Sequence, residues 1–160
     1  MGGLERMIEN GSLGAALTGN AEADAFLREN PDGLLYGSLF DQQMRAELAF
    51  IGAWRLSVRL GHLDAGRIAA MDGAEFTELF RQKPGVHRFG QMMAERAQRL
   101  AGHMAANHGG SVAAMWADGP SDAALMQRFT GLPGFGESKA SVLLEALDLF
   151  GHRKITPIDQ

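Results

Sequence analysis

"LPGFGESKA", residues 132–140, interrupts a chain that otherwise reads as one helix after another. Pro133, Gly134 and Gly136 break the helical pattern, and a helical run from Ser141 to Phe150 follows at once. Before the break, "SDAALMQRFTG" reads as a helix capped by Ser121. The stretch is therefore the turn of a two-helix hairpin spanning 121–150. Its second helix begins with amide groups that have no intrahelical partner, and glycines let a ligand reach them with no Cβ in the way. Gly134 and Gly136 thus predict a concave array of N–H donors at a positive helix end, suited to a phosphate, and Lys139 in the first turn adds a cation. Spacing alone is equally compatible with an αα-hairpin whose glycines only make a turn.

Outward from the hairpin, the apolar residues keep a helical period. "NAEADAFLREN" predicts a short helix with Asn20 as N-cap, and Pro31 fits the first position of a second, with Leu34, Leu35 and Leu39 as its stripe. "AELAFIGAWRLSVRLG" is apolar nearly all round, which predicts a helix buried on most sides and ended by Gly61. "DAGRIAAM" and "GAEFTELFRQ" predict two short helices, and "KPGVHRFG" a loop. A long helix follows from Phe89 to about Asn107, with Phe89, Met93, Ala97, Leu100 and Met104 on one face. "SVAAMWAD" predicts another helix. No stretch alternates with period two for long enough to make a strand. The expected fold is all-α with eight or nine helices: an irregular arm over 1–20 and a single helical domain over 21–160.

Composition narrows the function. The chain has 160 residues, of which 46% are hydrophobic, enough for a sizeable core. Without cysteine it can hold no disulfide, thiolate zinc site or iron–sulfur cluster. It shows no signal-peptide pattern and no apolar run of membrane-spanning length. A cytoplasmic monomer with no membrane association is expected. A net charge of −4 argues against nucleic-acid binding by overall charge, so any anion site must be local.

Two stretches together carry a resemblance. "LPGFGESKA" looks like the helix–hairpin–helix signature Leu-Pro-Gly-apolar-Gly-x-x-x-Ala. "LLYGSLFDQQM" resembles a helix whose apolar run ends in Ser-Gln-Gln, with Asp41 here in place of the Ser. Their order and separation, over roughly residues 22–159, resemble the helix–hairpin–helix base-excision DNA glycosylases, the endonuclease III and 3-methyladenine glycosylase superfamily. "FDQQ", "HRFGQMMAERAQRL" and "LPGFGESKA" together look most like a small bacterial branch of it.

The resemblance implies a DNA-glycosylase-like fold and duplex DNA as partner. It implies that the amides of Gly134, Gly136 and Lys139 hold the DNA backbone. It also implies that the carbonyls of Thr130, Leu132 and Phe135 hold a potassium or sodium ion that bridges to a phosphate; no other cofactor is required. Gln43 matches the glutamine that approaches the gap left by an extruded base, and extrusion is needed because the glycosidic bond is inaccessible within the stack. In "ITPIDQ", Asp159 falls near the position of the carboxylate that stabilises the oxocarbenium-like sugar, although the family's Asp opens a further helix and here Gln160 follows directly. A solvated tail carboxylate is the alternative. Ser138 occupies the position of the lyase lysine. Lys139, one residue on and about 100° round the helix, is expected to face elsewhere, as a phosphate contact or a solvated first-turn lysine. Monofunctional base removal, without Schiff-base chemistry, is therefore expected; the alternative is a DNA-binding module that has lost the chemistry.

Other residues carry weaker signals. His87 and Arg88 could cap the loop before the long helix or line a cleft. Asp41 could cap, pair with Arg45 at i+4, or lie near a pocket. Trp54 and Trp116 read as core residues. His103 and His108 are expected on different helical faces, so no metal-ligand spacing is found. The nine methionines read as core filler.

Overall fold

Pro31 opens the helix on which the rest of the molecule is assembled. A computed structural model of the chain describes residues 17–156. Within them are eight α-helices and no strand. They are α1 (Ala21–Glu29), α2 (Pro31–Phe40), α3 (Ala46–Leu60), α4 (Ala65–Ala70), α5 (Gly73–Arg81), α6 (Gly90–Asn107), α7 (Asp122–Thr130) and α8 (Glu137–Leu149). "SVAAMWAD" forms a 3-10 turn, Val112–Trp116, and not the α-helix its composition suggests. It has no side-chain cap and only five residues, too few to offset α-helix nucleation.

Local chemistry accounts for the boundaries. Asn20, Asp64, Asp72 and Ser121 each accept a backbone N–H from the first turn of the helix they precede. Gly61 ends α3 in the left-handed conformation, and Gly109 and Gly110 do the same after α6. Residues 17–20 are tied in: Leu17 is buried, and the Thr18 amide and hydroxyl both donate to Asp24 Oδ1 at 2.9 Å. The expected arm thus ends by residue 17, and residues 1–16 lie outside the described residues.

α2 is the central element. Gly33 through Phe40 are all buried, and the helix packs on α1, α3, α6, α8 and the 3-10 turn. Gly37 is what lets α3 come so close, since the Phe50 ring lies against its Cα where a side chain would stand. α4 and α5 pack on α6 instead, through the predicted stripe of Met93, Ala97, Leu100 and Met104. The molecule therefore has two groups of helices, one around α2 and one around α6. The loops 41–45 and 82–89 lie between them.

α3 corrects an expectation. Its inner face, with Ala49, Phe50, Ala53 and Leu56, is buried on α1 and α2. Its outer face is not: Val58 is 61% exposed and Leu48 39%. Trp54 is only half-buried and lies outside the core cluster, whereas Trp116 packs against that cluster as expected. An all-round apolar sequence needs partners on every side, and among the helices α3 packs mainly on α1 and α2, with the loop at Val86 against Gly52.

Candidate nucleic-acid interface

The hairpin is built as its residues dictate. α7 runs into a turn in which the Phe135 amide donates to the Leu132 carbonyl at 3.0 Å. Gly134 takes φ +81°, a conformation that costs a residue with a Cβ. Gly136 is extended and serves as the N-cap of α8, with no side chain bonded to the first-turn amides. Among the described residues nothing lies within 4 Å of where a Gly136 Cβ would point. The approach to the start of α8 is thus open at this position.

Of the three carbonyls expected to hold an ion, Leu132 already accepts the Phe135 amide. Among the described residues, no backbone N–H donates to the oxygens of Thr130 or Phe135. The Leu132 oxygen keeps a second lone pair beyond the one that accepts this bond.

The turn packs on the end of α2, where Leu39 faces Gly134. This brings the loop after α2 beside the hairpin. Gln42 and Lys139, 97 residues apart, are directly bonded: Lys139 Nζ donates to Gln42 Oε1 at 2.9 Å. Arg96 of α6 donates to the same oxygen at 3.0 Å. Gln43, next in the loop, is exposed and takes φ +53°, unusual for a residue with a side chain. Its carbonyl accepts from Arg88 at 3.3 Å. Arg88 also lies over the Phe89 ring at 5.1 Å.

His87 fixes one loop to the other. Its Nδ1 accepts the Phe89 amide at 3.0 Å, so the proton sits on Nε2, which donates to the Phe40 carbonyl at 2.9 Å. Burial holds its pKa below the usual histidine value; the Phe40 carbonyl opposes this, while Lys139 and Arg88 reinforce it. Of the readings weighed for this loop, capping is what His87 does.

Lys139 is half-buried and reaches the 41–45 loop, so it is not a fully solvated first-turn lysine. Burial lowers its pKa to about 8, Arg96 adds to the depression, and Asp41 opposes it. Rotation about the helix gives only the direction of a Cβ, and a lysine stem is long enough to bring the amine back over a neighbouring loop. Asp41 is the buried C-cap residue of α2, and Arg45 pairs with Glu47 at 2.8 Å. Asp159 lies outside the described residues. The chain leading to it is held by Asp148 Oδ1 on the Ile155 amide at 3.0 Å and Asp122 Oδ2 on the Thr156 amide at 2.9 Å.

Gln42 and Arg96 carry no expectation in the sequence. The signal for Arg96 is its place in α6, at the edge of the buried stripe between Met93 and Leu100, where a basic side chain must lie along the core boundary. α6 ends at Asn107, and the His103 and His108 rings come within 5.3 Å across the turn.

Two cavities border the helices that carry Arg96 and Lys139. One of about 690 Å³ runs between α5 and α6, lined by Thr77, Glu78, Arg81, Gln91, Glu95 and Gln98 among others. One of about 430 Å³ lies in the crook of the hairpin, lined by Met126, Gln127, Thr130, Glu137 and Ser141. Among the described residues no group of acids and histidines could hold a metal ion, and no helix is long and apolar enough to cross a membrane. Comparison with known proteins finds no matching family model, no matching curated protein and no matching solved structure.

Proposed function

We propose that this chain binds duplex DNA through the α7–α8 hairpin and acts as a monofunctional base-excision protein of the helix–hairpin–helix glycosylase type. The observation that carries the reading is the Lys139–Gln42 bond. It joins the two stretches on which the resemblance rests, so the open amide end of α8 and the exposed Gln43 share one surface. In this reading the amides of Gly134, Gly136 and Lys139 hold a backbone phosphate. The carbonyls of Thr130, Leu132 and Phe135 hold a potassium or sodium ion, which supplies positive charge beside that phosphate. Gln43 enters the duplex beside an extruded base, and Asp159 faces the sugar. Backbone contacts of this kind position a protein without reading sequence.

The test is incubation with duplexes that each carry one damaged or mismatched base, followed by alkaline cleavage at abasic products. Release from at least one duplex without strand scission before alkali is the expected result. One observation favours the alternative of a binding module without chemistry: Asp41, the carboxylate of the Gln43 loop, is 9% exposed and terminates a helix. Duplex affinity with no base release from any lesion would establish that alternative.

A further inference from the structure

Gln42 holds two cations on one neutral oxygen. The bonds from Arg96 and Lys139 are 3.0 and 2.9 Å, so the two positive groups stand within about 6 Å of each other, where like charges repel. Neither forms a salt bridge among the described residues. A guanidinium has five N–H donors and an ammonium three, so each keeps donors beyond the one given to Gln42.

The surroundings are mixed in sign. Asp41, buried at the end of α2, attracts the Lys139 ammonium. Arg88 adds a third cation at the Gln43 carbonyl. His87 contributes no charge near neutrality, because its folded-state pKa is lowered. Glu137 is in the first turn of α8 and exposed, and Glu95, beside Arg96 on α6, lines the cavity toward α5.

We propose that Arg96, Lys139 and the Gln42 carboxamide form a binding site for a phosphate group, separate from the hairpin amides. The carboxamide keeps the two cations in a fork. A phosphate entering beside it takes the guanidinium edge on one side and the ammonium on the other, which removes the repulsion between them. The backbone amide of Lys139 belongs to the hairpin and its side chain to this fork. On a duplex the two sites would therefore hold neighbouring phosphates of one strand; that part rests on the DNA-binding reading, whereas the phosphate site itself does not.

The test is an NMR titration of protein carrying 13C-labelled lysine, read at the Lys139 Cε, with inorganic phosphate in one arm and a short undamaged duplex in the other. Inorganic phosphate is expected to shift the Lys139 signal saturably. Arg96→Gln should weaken that binding at least about tenfold, a loss of roughly 1.4 kcal/mol. Gly136→Val, which narrows the approach to the hairpin amides, should weaken the duplex. In the duplex arm, Arg96→Gln and Lys139→Gln should each lower the slope of log affinity against log salt by about 1. Phosphate binding with an unchanged duplex slope would keep the site, make its ligand a small phosphate compound and count against the DNA reading. A Lys139 signal that ignores phosphate, with unchanged duplex slopes in both variants, would overturn the proposal; it is read on the unmutated protein, so misfolding of a variant cannot mimic it.

Discussion

A Cβ built on Gly134 would meet Leu39 Cδ1 at 2.9 Å, so the hairpin turn is seated on the end of α2 with no room for a side chain. Gly134 also has φ +81°. Gly136, two residues on, is extended and faces open space. One glycine serves the fold and the other leaves a surface clear. Gly134→Ala should therefore destabilise the protein by about 1–2 kcal/mol, from left-handed strain plus displacement of Leu39. Gly136→Val should stay within about 0.5 kcal/mol of the parent, as surface changes usually do. Urea unfolding measures both. The same Gly136 variant should lose duplex affinity in fluorescence anisotropy, and unchanged affinity in a folded Gly136→Val protein would remove the hairpin amides from the account.

His87 links stability to acid pH. Its folded-state pKa lies below the ordinary 6.5. As pH falls through that value, the unfolded chain takes up a proton that the folded ring resists. Stability from this group is full above 6.5 and declines below it until the folded pKa is passed. A glutamine offers one acceptor and one donor for the Phe89 amide and the Phe40 carbonyl. His87→Gln should therefore keep the loop in place and flatten the pH dependence of urea midpoints between neutral and mildly acid pH. A variant with the parent's slope would show that another group carries the acid sensitivity.

Lys139 works in the opposite pH range. Its folded pKa is about 8 against an ordinary 10.5. Between those values the unfolded chain keeps a proton that the folded one has released, so stability rises with pH through the window, and the penalty is complete below it. Lys139→Gln removes that penalty and the repulsion with Arg96. The variant should be at least as stable as the parent at pH 7, and its advantage should shrink from pH 8 to 10.5. Unfolding curves at several pH values check this, and a constant difference would place the ammonium in water.

The elements were legible because their signals are local. Asn20, Pro31, Gly61 and Ser121 stand where the helices begin and end, and the stripe from Met93 to Met104 marks the buried face of α6. What was not legible depends on packing between distant segments. The exposed face of α3, with Val58 and Leu48, is decided by how many helices reach it. The Gln42 fork needs three segments to converge, and no spacing in the sequence encodes that Arg96 and Lys139 meet on one oxygen. Lys139 shows the limit of face counting: the helical position gives the direction of its Cβ, while the reach of its amine to Gln42 depends on the packed loop.

The last prediction concerns which carboxylate would do the chemistry. Departure of a base leaves positive charge on the sugar, and a site that speeds this step must present a negative group to that charge. Two carboxylates are candidates. Asp159 follows the hairpin at near-family spacing, and residues 152–156 before it are anchored: Arg153 pairs with Asp122, and the Ile155 and Thr156 amides are held by Asp148 and Asp122. Asp41 lies in the same loop as Gln43 but is buried and sits beside Lys139, whose ammonium competes for its charge. Asp159→Asn should therefore abolish base release from a cleaved lesion duplex and leave affinity for that duplex within about twofold, since the amide keeps the size and loses only the charge. Asp41→Asn should instead lower stability, with release falling only as far as folding does. Single-turnover release, duplex binding and urea unfolding on the two variants separate the roles. Release that survives Asp159→Asn but is lost in a folded Asp41→Asn protein would move the chemistry to the Gln43 loop.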